Sequence, residues 1–238
     1  FLLNKLDMKY NVKKKLNVDE LINFKYQELK NYQNEKYANT YLKKIIVTKK
    51  KLQKLKIKDN SFIESVANSL YKTMAYKDEY EVARLFTDGR FHKELKNNFE
   101  SFDKVYLHLS PPFLGLKDKI TKSPKKIRVT SKILFLFKIL KKLKFIRNTI
   151  FDPFSYTHER KLERNLIKDF FKTLDFLNSK INKNNYYDAV QVIQSFSLVR
   201  GYGHVKLKNF NLFENELKQR LNIFKKSGHK KSSKIAAE

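Results

Sequence analysis

Ser61-Phe-Ile-Glu-Ser-Val-Ala-Asn-Ser-Leu-Tyr-Lys-Thr-Met-Ala-Tyr-Lys-Asp-Glu-Tyr-Glu-Val-Ala-Arg-Leu-Phe-Thr87 is the stretch that decides the fold class. Ile63, Ala67, Leu70 and Met74 recur at i, i+4, i+7 and i+11, an apolar stripe of helical period. Ser61-x-x-Glu64 has the form of a capping box, in which Ser61 bonds the backbone N–H of Glu64 and the glutamate reaches back. The spacing predicts one helix from Ser61 to Phe86, stopped by Asp88-Gly89. Carried forward, the apolar stripe runs into Lys77, Asp78 and Glu81. Charge on a face that should be buried requires partners, because unpaired buried charge is costly.

Working outward, the chain is mainly α, with about six helices. Val18–Thr48 is helical in pattern, with Ile22, Tyr26 and Leu29 on one face and Tyr37, Tyr41 and Ile45 at i+4 spacing. Lys49–Asp59 reads as a basic connector. A short strand or extended segment is predicted near 105–112, where Val105-Tyr-Leu-His-Leu109 alternates and Pro111-Pro112 closes it. Residues 113–130 read as loop. Ser131–Phe145 reads as a basic amphipathic helix whose Ile133, Leu136, Leu140 and Leu143 face a core. Asp152-Pro153 reads as a helix start. A long helix follows, with Leu162, Leu166, Phe170, Leu174 and Leu177 in register. Tyr187–Ile193 is a shorter helix, Arg200–His204 a tight turn, and Phe210, Phe213, Leu217, Leu221 and Phe224 mark the last helix. The expected organisation is a linker or the end of a preceding domain over 1–15, a helical C-terminal domain over 16–225, and a basic flexible tail over 226–238. A chain opening on Phe1 fits a fragment of a longer reading frame.

Composition excludes several classes. There is no cysteine, which rules out disulfides and thiolate-bound zinc or iron–sulfur clusters in this segment. Five glycines form no phosphate-binding loop, and no Gly-Asp-Gly diphosphate motif is present. The most apolar run, Ile133-Leu-Phe-Leu-Phe137, is broken by Lys138, so the chain is read as having no membrane partner. His108, His158 and His204 lack metal-ligand spacing, so no metal is assigned. A net charge of +28 supports an alternative reading, a basic nucleic-acid-binding module whose tyrosines would stack on bases. Most of the charge is lysine accompanied by Asn, Ile and Tyr, as an AT-rich genome produces. The eight arginines all lie from Arg84 onward. Nucleic acid is therefore placed second.

Four separate stretches resemble, in order, the C-terminal region of the bacterial fused indolepyruvate ferredoxin oxidoreductases, members of the 2-oxoacid:ferredoxin oxidoreductase family. They are Tyr71-Lys-Thr-Met-Ala-Tyr-Lys-Asp-Glu-Tyr-Glu-Val-Ala-Arg-Leu-Phe-Thr87, Tyr106-Leu-His-Leu-Ser-Pro-Pro112, Asp152-Pro-Phe-Ser-Tyr-Thr-His-Glu-Arg160 and Arg200-Gly-Tyr-Gly-His-Val-Lys206. A weaker likeness covers Leu21–Tyr41. The resemblance implies a cytoplasmic enzyme, oligomeric as a whole, that oxidatively decarboxylates aryl 2-oxoacids to acyl-coenzyme A and reduces ferredoxin. Thiamine diphosphate with magnesium and iron–sulfur clusters would be carried by upstream domains of the same polypeptide. This segment is expected to bind no cofactor, to hold no catalytic residue and to serve as an accessory, docking domain.

Two clusters stand out as candidate docking or anion-binding residues. In Lys77, Asp78, Glu79, Glu81 and Arg84, the pairs Lys77–Glu81, Tyr80–Arg84 and Glu81–Arg84 are within helical reach, which makes a structural ion network the plainer reading. Arg200, Gly201, Gly203, His204 and Lys206 combine permissive backbone with cations, as an anion nest would; a plain helix–helix turn is the alternative. Charge complementarity suggests that the acids of the first cluster face the cations of the second.

Overall fold

In a computed structural model the described residues are 16–101, 104–109, 127–201 and 203–228. The protein is mainly α: nine α-helices and one two-stranded antiparallel sheet among the described residues. The helices are α1 (Val18–Tyr32), α2 (Glu35–Lys54), α3 (Ser61–Met74), α4 (Glu79–Thr87), α5 (Arg90–Asn98), α6 (Ile133–Leu140), α7 (His158–Lys180), α8 (Tyr186–Ser195) and α9 (Gly203–Ser227). Strand β1 (Tyr106–Leu109) pairs with β2 (Ile127–Thr130), Tyr106 opposite Thr130 and Leu109 opposite Ile127. The chain divides into two compact units, crossing between them at Ala75/Tyr76 and again at Lys161/Leu162.

The unit built from residues 16–75 and 162 onward is a helix assembly with one apolar core. Leu29, Tyr41, Ile45, Phe62, Leu70, Phe170, Leu174, Ile193 and Phe213 are buried together. α1 packs on α2 and α3, α3 on α8, and α8 on α9. The i, i+4 stripes read from sequence on α1, α2, α3, α7 and α9 supply these side chains, as amphipathic helices must. The starts of α1 and α2 are capped by side chains. Asn17 and Glu20 form a reciprocal capping box at α1, and Asn34 accepts from the Tyr37 N–H at α2. Few polar groups cross the core: the Asn178 amide donates to Thr48 Oγ1, and Tyr41 donates to the Ala67 carbonyl.

The unit built from residues 76–161 has a smaller core of Ala83, Phe86, Phe91, Leu107 and Phe137. α6 packs on α4, and β1 lays Leu107 beneath them. Phe86 meets the Phe91 ring edge-on, centroids 5.0 Å apart.

Several expectations are corrected. The helix expected over Ser61–Phe86 is two helices. α3 ends at Met74, and Asp78 starts α4 by accepting the Glu81 N–H. Breaking the helix removes the conflict in the sequence, since the charges no longer continue the stripe of Ile63, Leu70 and Met74. Ser61 does not cap α3; its N–H and hydroxyl both donate to the Asp59 carboxylate, which turns the chain into the helix. The connector over Lys49–Asp59 is helical to Lys54, because Thr48 and Leu52 continue the buried face of α2. β2 falls at the end of the loop expected over 113–130, and α5 lies where the sequence reading assigned no element. β2 completes the ladder that β1 alone would leave open. Pro111-Pro112 lies outside the described residues. The helix expected over Ser131–Phe145 is α-helical only to Leu140 and tightens into a 3₁₀ segment, Lys141–Ile146. Its buried side is Phe137 with Ile133, Leu134 and Leu140, while Leu136 and Leu143 are exposed. Asp152-Pro153 does not begin a helix; α7 begins at His158.

The main core makes a quantitative prediction. Phe170→Ala removes a fully buried ring and should destabilise by about 3–5 kcal/mol. Exposed Tyr187→Ala should cost far less. Denaturant unfolding of both variants checks the ordering.

Candidate arginine–carboxylate site

The charged cluster of the sequence becomes a closed network inside the smaller unit. Asp78 sits at the N-cap of α4 and accepts the Glu81 N–H at 2.9 Å. The same carboxylate takes Arg147 in a two-pronged grip, Nε at 2.5 Å and Nη2 at 2.9 Å, with both side chains buried. Glu81, one turn into α4, holds Arg84 the same way, at 2.8 Å to Nε and 2.7 Å to Nη2. Arg84 also reaches Asp88, which in turn binds Arg90. Glu79 receives Arg160 Nη2 at 3.3 Å on each oxygen.

A second layer fixes the arginines. The Tyr80 hydroxyl donates to Asp152 Oδ1 at 2.9 Å. Asp152 also accepts the N–H groups of Asn148 and Phe154. This carboxylate therefore closes the loop that presents Arg147 instead of capping a helix. The guanidinium of Arg147 lies 5.4 Å from the Tyr80 ring centroid and that of Arg160 lies 5.7 Å from Tyr76. Phe154 packs edge-on against Tyr80.

Burial dominates the electrostatics. It pushes the carboxyls of Glu79 and Glu81 above the ordinary glutamate range, against the pull of Arg160 and Arg84. Burial and the Asp152 carboxylate hold the Tyr80 phenol protonated. Lys144 is lowered, first by desolvation and then by Arg84 and Arg147. Acids and arginines almost balance, and each named carboxylate is matched by its own arginine or by Tyr80 and backbone N–H groups. Such paired bonds hold the side chains that make them in one geometry.

The sequence-named residues separate as follows. Glu81 and Arg84 pair as their spacing allows. Asp78 and Glu79 take Arg147 and Arg160, two partners the sequence reading did not pair with them. Lys77 precedes α4, so the helical pairing of Lys77 with Glu81 has no helix to rest on. In the other unit, Lys206 is bound to Glu163, and the Arg200 carbonyl accepts from the Asn209 amide. Gly201 has φ +97°, and a Cβ there would meet Val205 Cγ1 at 2.9 Å, so this glycine is required by the turn. Gly203 is the first residue of α9; the side chain of His204 lies outside the described set. Among the described residues no group of three or more His, Cys, Asp or Glu is placed to hold a metal ion. His108 on β1 and His158 at the start of α7 are exposed.

Two outcomes follow from this geometry. Arg147→Met strands a buried Asp78 and should cost about 3–5 kcal/mol. Asp78→Ser combined with Arg147→Met keeps an N-cap oxygen and removes the stranded charge, so it should be more stable than the single variant. Denaturant unfolding compares them. The second outcome concerns pH. The folded-state pKa of Glu81 lies above its unfolded value, so the folded chain takes up this proton first as pH falls. Its contribution to stability is complete below the unfolded pKa and is lost as pH rises through the folded one. Glu81→Gln should therefore flatten the rise in stability on mild acidification, read from unfolding curves between neutral pH and the ordinary glutamate range.

No curated protein and no solved structure matches the chain. One family does match, over residues 18–219, which takes in every helix from α1 and most of α9. The chain belongs to that family, described as "Family of unknown function (DUF6537)".

Proposed function

We propose that this chain is a scaffolding, non-catalytic domain at the C-terminal end of a cytoplasmic 2-oxoacid:ferredoxin oxidoreductase similar to the indolepyruvate enzyme. One observation carries the reading. Two stretches of the resemblance far apart in sequence, Tyr71–Thr87 and Asp152–Arg160, meet in a single network through Tyr80–Asp152 and Glu79–Arg160. Residues that carry the likeness thus bond one another within the smaller unit. That supports a shared structural element and gives the acids a role without catalysis. In the whole enzyme, thiamine diphosphate with magnesium and iron–sulfur clusters would lie in the upstream domains. Coenzyme A and ferredoxin would engage those domains, and the assembly would be oligomeric. Among the described residues no helix is long and apolar enough to cross a membrane.

The natural gene product containing these residues should oxidatively decarboxylate indolepyruvate in the presence of coenzyme A and reduce ferredoxin. The 238-residue chain alone should show no turnover. Arg147→Met in the gene product should reduce the yield of folded enzyme while leaving KM for the 2-oxoacid unchanged. Arg200→Ala should leave KM for coenzyme A unchanged. Decarboxylation by the isolated chain, or salt-sensitive binding of RNA by it with no oxidoreductase activity in the gene product, would replace this reading with another.

A further inference from the structure

The smaller unit buries only one side of α6. Phe137 faces the core, while Phe135, Leu136 and Ile139 are exposed, as is Phe145 in the 3₁₀ segment. The loop after it presents Ile150 and Phe151, 79% and 75% exposed. A helix that is apolar on both sides is ordinarily covered on both, and so many exposed apolar side chains within one short segment point to an interaction site. Within this segment the charge has one sign. Residues 127–151 contain seven Lys and Arg and no Asp or Glu, and Lys132, Lys138 and Lys142 are exposed on this segment.

The loop is also pinned. Asp152 accepts from the N–H groups of Asn148 and Phe154 on either side of Ile150 and Phe151. Tyr156 donates to the Ile150 carbonyl, and Thr149 to that of Ile146. Fixing the backbone that carries two bulky side chains lowers the cost of fitting them into a shaped pocket.

We infer that the face formed by Phe135, Ile139, Phe145, Ile150 and Phe151 docks onto a protein surface with an apolar pocket rimmed by carboxylates. Ile150 and Phe151 are the central anchors, of the bulky type that dominates interface energetics, and Lys138 and Lys142 meet the acidic rim. The identity of the partner rests on the reading above: it is another part of the same oxidoreductase polypeptide.

Hydroxyl-radical footprinting tests this on the natural gene product and on the 238-residue chain. Labelling of Phe135, Phe145, Ile150 and Phe151 should fall several-fold in the gene product relative to the chain alone, while exposed Tyr187 in the other unit serves as the reference. Lys138→Glu with Lys142→Glu should restore labelling at the face. These residues are exposed, so circular dichroism of the variant should match the parent. Equal labelling in the two proteins overturns the inference. So does protection of the isolated chain by phosphatidylglycerol vesicles, which assigns the face to lipid, or protection that grows with the concentration of the isolated chain, which assigns it to a second copy. The two readings fail separately. Protection without 2-oxoacid turnover leaves the docking face standing and removes the proposed enzyme; turnover without protection does the reverse.

Discussion

The Asp78–Arg147 pair is the contact on which the smaller unit depends. Asp78 serves twice with one carboxylate: it starts α4 through the Glu81 N–H and receives Arg147 from a loop 69 residues away. Burying both charges costs several kcal/mol per ion before their attraction is counted. The pair is therefore a poor source of net stability. Its value is directional. A two-pronged guanidinium grip has one good geometry, so it fixes where residues 147–157 lie against α4. The core of Ala83, Phe86, Phe91, Leu107 and Phe137 is small and its apolar contacts are non-directional; alone they would tolerate more than one placement of that loop.

The neighbouring groups make sense from that constraint. With Arg147 turned inward, its backbone neighbours need their own support, and Asp152 supplies it through Asn148 and Phe154. Tyr80 then ties Asp152 back to α4, one residue from Glu79 and two from Asp78. Glu81 is more buried than a carboxylate tolerates without help, and Arg84 answers it from within the same helix. Four consecutive positions of α4 and its cap, Asp78 to Glu81, are thereby committed to side-chain bonds. This explains why so dense a charged cluster can sit beside a core.

How much of this was legible depended on whether the cause was local. Stripes of period 3.6 placed α1, α2, α3, α7 and α9, and their buried residues Ile45, Leu70, Phe170, Leu174 and Phe213 are the ones the pattern selected. Caps are also local, yet the Asp59 carboxylate took the Ser61 N–H that the Ser61-x-x-Glu64 form assigns to Glu64. The break after Met74 was visible only as a contradiction, a charged run continuing an apolar face. β2 could not be read because a strand on an edge of two needs its partner to identify it. Arg147 was illegible for the same reason on a larger scale. It lies in a lysine-rich run, and nothing local distinguishes it from its neighbours except that it is one of eight arginines against a large lysine excess.

That distinction has physical content. Lysine is a point charge on a flexible stem, whereas arginine offers a rigid planar fork and is desolvated at lower cost. In the smaller unit, Arg84, Arg90, Arg147 and Arg160 are each bound to a carboxylate, whereas Lys132, Lys138 and Lys142 stay exposed. Among the described residues the buried cations of this unit are arginines, Arg84, Arg147 and Arg160, while Arg128 joins the lysines outside and Lys144 is partly desolvated. A net charge of +28 therefore says little about the interior. The same loop shows both sides of the division, since Arg147 and Asp152 hold its ends inward while Ile150 and Phe151 between them face out. A rigid interior network and an apolar outward display are in this segment one construction, because the inward bonds fix the positions from which the outward side chains project.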